Sequence, residues 1–279
     1  MSRSKVGLSL FCAVLGFGLA GGKPKAATAH GLPQTAQAPE VSQTAGAARV
    51  PVLVELFTSE GCSSCPPADT FVGKLDSAQP LPGAELIVLS EHVDYWDHDG
   101  WKDPNSSPEI TQRQIAYVKE LHLKEPYTPQ IIVDGTSELR ANDQQQVNVV
   151  LQHAVGQSTV PICIDDAKID PKNPAVVRLR IDADGNNQKE SADVYVAVAL
   201  NRFSSQVSRG ENSGHELTSV AVVQELNEIG TLHKGKDFDK TISLKLKPGT
   251  DPNNVRIVAF LQQPGPSRVV GAAMQKLSD

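Results

Sequence analysis

Clustered basic residues are missing from this 279-residue chain, in which 26 Lys and Arg stand against 32 Asp and Glu for a net charge of −6. No basic stripe and no interleaving of basic with aromatic residues occurs. Phosphate backbones are held by grouped Lys and Arg, so nucleic-acid binding is set aside as a class. Long apolar runs are lacking too. The best candidate, Val6 to Ala20 (VGLSLFCAVLGFGLA), falls short of the roughly 20 residues a membrane helix needs. Cysteine is scarce, with four in all, at positions 12, 62, 65 and 163. Two at close spacing and a remote one make a poor structural framework; they suggest a redox or metal pair with a leftover thiol. No internal repeat is found.

The N-terminus reads as a targeting segment. Arg3 and Lys5 precede the apolar run, and Ala27-Thr28-Ala29 offers a small-x-small cleavage site. A signal peptide over 1–29 is expected, with an uncleaved anchor as the alternative. Cys12 lacks the small residues of a lipoprotein box and is given no role in the mature chain. Residues 30–48, rich in Ala, Gln, Pro and Thr, read as a disordered linker. The mature protein is therefore expected in the periplasm or outside the cell, where disulfides persist, with no membrane span. Its 39% hydrophobic and 21% charged residues are those of a soluble globular protein, and two domains are expected for this length.

The first, over 49–157, reads as β-α-β-α-β-β-α. Pro51 to Thr58 (PVLVELFT) is an apolar, β-prone run, and Glu85 to Ser90 is a second. Between them Ala68, Phe71, Val72 and Leu75 repeat at helical spacing, and Pro66 and Pro67 fit only a first turn. Ser106 and Glu109 make a capping box for a second helix, lined by Ile110, Val118 and Leu121. Gln130 to Val133 and Ser137 to Ala141 flank Asp134-Gly135, a hairpin signal. Asn142 is expected to cap a last helix. Parallel strands joined by helical crossovers, closed by a hairpin and a helix, form a thioredoxin-like arrangement. Residues 158–279 hold six β-type runs separated by turns rich in Pro, Gly, Asn and Asp, which suggests an all-β sandwich. The run Val220 to Ile229 fits either a strand or a short helix.

Cys62-Ser63-Ser64-Cys65 falls on the first strand-to-helix turn. The helix dipole and unpaired amides there favour thiolate over thiol, so Cys62 is the expected nucleophile and Cys65 the resolving thiol. A static disulfide is the bland alternative. Thr128-Pro129 precedes the third strand, where thioredoxin folds carry a cis-proline facing the cysteines and pairing with substrate; a trans-Pro turn is the alternative. Glu91 to Asp97 lies where the second strand ends beside the first. His92 is a candidate proton donor to the departing thiolate, or a copper or zinc ligand together with Cys62 and Cys65. A plain loop histidine is the third possibility. Asp94 orients His92 or caps the loop. Trp96 and Trp101 form a loop cluster or a substrate-contacting wall. Glu55, inside an apolar strand, is either a buried proton relay to Cys65 or a strand-end charge reaching solvent. Cys163 is expected as an inert buried thiol, and no resident cofactor is expected.

The string Glu55-Leu-Phe-Thr-Ser-Glu-Gly-Cys62-Ser-Ser-Cys65-Pro-Pro-Ala-Asp69 resembles the signature of a secreted, thioredoxin-like bacterial family known as domain of unknown function 1223. His92-Val-Asp-Tyr-Trp-Asp97, Gly100-Trp-Lys-Asp103, Tyr127-Thr-Pro-Gln130, Gly210-Glu211-Asn212 and Gly271-Ala-Ala273 resemble its further blocks. The resemblance implies fold and export but no reaction. From the residues, the expected activity is thiol-disulfide exchange with protein or small-molecule thiols. A metal-delivery protein and a non-catalytic binding module with a structural disulfide are the alternatives.

Overall fold

Continuous burial along the first strand places a packed layer on each of its faces. In the computed structural model, which describes residues 49–277 except 99, 142, 158 and 187, β1 (Val50–Thr58) is buried on both sides. The expected signal peptide, the linker and the cap at Asn142 lie outside the described residues. Val52, Val54 and Leu56 pack under α1 (Pro66–Ala78) and α3 (Gln144–Val155). Leu53 and Phe57 face α2 (Pro108–Glu120) with Ile110 and Tyr117. β2 (Ala84–His92) runs parallel to β1, and β3 (Gln130–Val133) antiparallel on its other side. β4 (Ser137–Arg140) returns on β3 through Asp134 and Gly135, both at positive φ (44° and 70°). A Cβ on Gly135 would fall on the Ser267 carbonyl, so glycine is needed there for space as well as conformation.

Helix caps differ by one residue from the sequence reading. Ser107, not Ser106, caps α2, accepting from the Glu109 and Ile110 amides, with Pro108 in the first turn. Asp143 caps α3 and accepts from the Gln146 amide. The buried stripe of α2 is Ile110, Thr111, Gln114 and Tyr117, with Val118 and Leu121 only partly covered.

The boundary expected between 157 and 158 separates no two sheets. Strands β5 (Ile162–Asp170), β6 (Asn173–Ala183), β7 (Ala192–Gln206), β8 (Glu216–Leu232), β9 (Phe238–Lys245), β10 (Val255–Gln262) and β11 (Val269–Lys276) follow α3. Four of them extend the first sheet, in the order β11-β10-β7-β8-β2-β1-β3-β4. β8 joins β2 in parallel, Ser90 opposite Val222. The stretch 220–229 that fitted strand or helix is thus strand. β5, β6 and β9 form a separate three-stranded sheet. Its Val177, Leu179 and Ile181 pack with Val194, Val196 and Ile257 of the long sheet in one core. The described residues belong to one compact unit. Periodicity reports which faces are buried, not which strand lies beside which.

Candidate functional site

Cys62 and Cys65 are joined in a disulfide at the head of α1. The turn that carries them is built from its own backbone: the Cys65 amide donates to the Cys62 carbonyl, and the Ala68 and Asp69 amides donate to the Cys65 carbonyl. Pro66 and Pro67 bring no N–H to this helix terminus, so fewer amide donors face the sulfurs than a first turn ordinarily presents. The Ser64 hydroxyl lies 3.3 Å from Cys62 Sγ. Ser63 and Ser64 are exposed, but both cysteines are 0% exposed. The sequence reading placed Cys62 at an open mouth; here it is covered.

The loop between β7 and β8, far away in sequence, is bonded to the backbone of this turn. Asn212 Nδ2 donates to the carbonyls of Glu60 (2.9 Å) and Cys62 (3.0 Å), and Asn212 itself is buried. Glu211 Oε2 accepts from the Ser63 amide at 3.0 Å, and hydrogen bonding to the Ser63 side chain, then to its amide, holds the carboxyl below the usual range.

Beneath the motif lies a buried polar cluster. His92 ends β2, opposite Thr58 at the end of β1. Its Nδ1 is 2.7 Å from Asp103 Oδ2, while its Nε2 is buried without a hydrogen-bond partner. Asp103 also accepts from the Glu60 and Asn105 amides. Burial works against the charged imidazole, but Asp103, Asp69 and Glu60 outweigh it and raise the His92 pKa. Asp103 is lowered despite its own burial, chiefly by His92. Asp69, one helical turn after Cys65, accepts from Thr58 Oγ1 (3.1 Å) and Ser219 Oγ (3.4 Å). The residue keeps some exposed surface, yet burial of its carboxyl pushes the pKa up to about 6. Glu60 is raised mainly by burial and accepts from Ser205 Oγ and Trp101 Nε1.

Of the residues singled out from sequence, Cys62, Cys65 and His92 gather at the ends of β1 and β2. Thr128-Pro129, a cis bond, is tied in through Trp96: the indole N–H donates to Thr128 Oγ1 at 2.8 Å, and the Trp96 backbone packs on Gly61. Asp94 is elsewhere engaged, accepting from Thr111 Oγ1 at 2.6 Å; the partner of His92 is Asp103. Glu55 faces α2, on the opposite side of the sheet from α1. Its Oε1 accepts from both Nε and Nη2 of Arg113 (2.8 and 2.6 Å) and its Oε2 from Tyr117 Oη (2.6 Å), with no exposure to solvent. Cys163 is half-buried on β5 and takes no part in the disulfide. Among the described residues no group of three His, Cys, Asp or Glu side chains is arranged to hold a metal ion, and the two sulfurs are bonded to each other. None of the described helices is long and apolar enough to cross a membrane.

Asp69, Asp103, Glu60, Glu211 and Asn212 were not picked out individually by sequence reasoning. All lie in or beside the strings that carried the family resemblance, which was their only signal.

Comparison with solved structures gives a crystal structure of an Agrobacterium tumefaciens protein, 26% identical, with a TM-score of 0.64 over 84% of this chain and 97% of that one. Two others are remote. Spo0M, a sporulation control protein of Bacillus subtilis, is 12% identical with a TM-score of 0.31, over 44% of this chain and 49% of its own. A domain of the outer membrane lipoprotein Omp28 of Porphyromonas gingivalis is 16% identical with a TM-score of 0.29, over 43% and 88%. No curated protein matches. A family model described as protein of unknown function (DUF1223) matches residues 53–262, and the chain belongs to that family.

Proposed function

We propose that this protein is an exported thiol-disulfide oxidoreductase, thioredoxin-like in its first half, exchanging disulfides through Cys62 and Cys65. One observation carries the reading: the two cysteines are paired at the head of α1, in the turn that follows β1, whose last residue lies opposite the buried His92 of β2. A substrate thiolate attacks Cys62 Sγ, the bond to Cys65 breaks, and Cys65 leaves as thiolate while a mixed disulfide forms at Cys62. A second substrate thiolate then attacks the substrate sulfur of that bond and releases Cys62. Substrate dithiol becomes disulfide, and the cysteine pair gains two electrons and two protons. The reverse sequence reduces a substrate disulfide.

Asp69 follows Cys65 by one helical turn, its carboxyl held by the Thr58 and Ser219 hydroxyls. With a pKa of about 6 it is matched to passing a proton to and from that sulfur near neutral pH. His92 and Asp103 form the second reservoir. The Ser64 hydroxyl stabilises Cys62 as thiolate. The Thr128-Pro129 loop, held by Trp96, is the wall along which a substrate chain lies. Protein or small-molecule thiols are the partner class, and the N-terminal apolar run supports export.

One observation favours a second reading. Both cysteines lack exposed surface, as in a structural staple of a non-catalytic binding module. Equilibration against glutathione buffers, followed by mass spectrometry, separates the two. Exchange predicts that Cys62 and Cys65 titrate as one two-electron couple in the folded protein, and that catalysed peptide oxidation is lost in Cys62→Ser. A pair reducible only above the unfolding transition contradicts the proposal and leaves the staple.

A further inference from the structure

Away from the cysteines, a cavity of about 220 Å³ lies at the other end of β1. Pro51 lines it, and the strand from there to Thr58 spans about 23 Å at roughly 3.3 Å per residue. The β3–β4 turn, α3 with the segment after it, and the start of β11 supply the other walls. Val133, Val150, Ala154 and Val269 give an apolar surface, while Asp134, His153 and Arg268 bring a carboxyl, an imidazole and a guanidinium. Asp134 is fixed through three bonds. Its amide donates to the Leu53 carbonyl (2.9 Å), its carbonyl accepts from the Val269 amide (2.9 Å), and its Oδ1 accepts from the Leu53 amide (2.8 Å). No other hydrogen bond to that carboxyl occurs among the described residues. Burial and the Glu55 charge raise its pKa to about 7, against the Leu53 amide and Arg268. Below that value the cavity holds a cation beside a neutral carboxylic acid. A carboxylate finds there both a guanidinium and an O–H donor, and hydrogen bonds of carboxylic acid to carboxylate are short and strong.

We propose that this cavity binds a small carboxylate, its head held by Arg268 and Asp134 and its short carbon chain against Val133, Val150 and Ala154. The volume sets the size. It corresponds to about seven waters at roughly 30 Å³ each, so the ligand has about that many non-hydrogen atoms. The site is ready-made, because β1 and β11 fix the backbone that carries the Asp134 carboxyl. It is independent of the exchange reading of Cys62 and Cys65, since it lies at the opposite end of the strand that leads to them.

The test titrates the intact chain with propionate, succinate, phosphate and chloride, reading affinity by calorimetry and location from amide NMR shifts. Carboxylates should bind in the millimolar range or tighter and shift the amides of 133–137, 150–157 and 268–271. Binding that needs the protonated carboxyl scales with its protonated fraction, about 0.9 at pH 6 and about 0.1 at pH 8 for a pKa of about 7. Affinity should therefore be about tenfold higher at the lower pH. Asp134→Asn keeps an acceptor for the Leu53 amide and offers an N–H donor at every pH, so it should bind equally well at both. His153→Gln should keep the tenfold ratio, and its loss in that variant overturns the role given to Asp134. Arg268→Gln should weaken binding by about tenfold or more, and Val150→Phe, which fills the cavity, should abolish it. If Arg268→Gln does not fold, Val150→Phe and Asp134→Asn carry the test. No shift of the lining amides by either carboxylate overturns the site. Equal binding of phosphate or chloride overturns the ligand class.

Discussion

Asp69 is the residue where burial and chemistry bear most directly on one another. Its carboxyl keeps a proton up to about pH 6 in the folded protein, against 3.8 for the unperturbed group. Between those values the folded chain therefore holds more protons than the unfolded one, and stability falls as pH rises through the interval. The loss amounts to roughly 3 kcal/mol once both states are ionised. Asp69→Asn should abolish that part of the slope between pH 4 and 6 and be at least as stable as wild type at pH 8, as urea titrations at several pH values will read. Asp103 is the opposite case. It binds His92 and two backbone amides, so Asp103→Ala leaves buried donors unpaired and should cost about 3 kcal/mol or more. The position of His92 at the end of β2 was legible, because the apolar run before it reads as a strand that ends there. Its partner was not: Asp94 is nearer in sequence, and only the path of the loop brings Asp103 to the ring.

At the scale of elements, β1, β2, α2 and β10 meet at a buried charge network. Arg113 lies 5.0 to 5.6 Å from the rings of Tyr117, Tyr195 and Phe260 and is paired with Glu55. Glu91 is 3.6 Å from Arg113 Nε, with neither carboxyl oxygen hydrogen-bonded. Burial, then the Glu55 charge, raise its pKa well above the usual range. Two carboxyls in one pocket should therefore respond differently. Glu91→Gln removes a carboxyl whose charged form burial and Glu55 already disfavour, and should change stability by less than about 1 kcal/mol. Glu55→Gln strips Arg113 of its anion and should cost about 3–5 kcal/mol. Chemical denaturation of the two variants checks the contrast. For Glu55 the sequence left burial and a solvent-reaching charge equally open; it is buried, but against α2 and not as a relay to Cys65. Arg113 could not be read, because an arginine in a polar helix looks like a solvated face until the helix is docked.

Across the whole molecule, the seam between β2 and β8 decides whether the two halves of the chain are separable. Ala197, Val223, Val258 and Phe260 from the second half pack with Leu53, Phe57 and Leu89 from the first. Arg256 of β10 binds Asp76 of α1 through two bonds of 2.6 and 3.0 Å. Residues 49–157 expressed alone should therefore show no cooperative unfolding transition, whereas the intact chain unfolds in a single one, a difference that calorimetry will detect. The helices and strands of the first half were readable from period and turn residues, since those signals are local, although the capping residues fall one position later. The strand order β7-β8-β2-β1 was not, because nothing in a strand's own pattern names its neighbour.

The division of labour between the two sulfurs is what the functional account finally depends on. Oxidised peptide added to Cys65→Ser, and separately to Cys62→Ser, tests it directly, with mixed disulfides trapped by acid and mapped by mass spectrometry. The account predicts that Cys65→Ser accumulates a mixed disulfide at Cys62 while Cys62→Ser accumulates none at Cys65. Absence of any adduct at Cys62 in the folded protein, or an adduct at Cys65 instead, would contradict it.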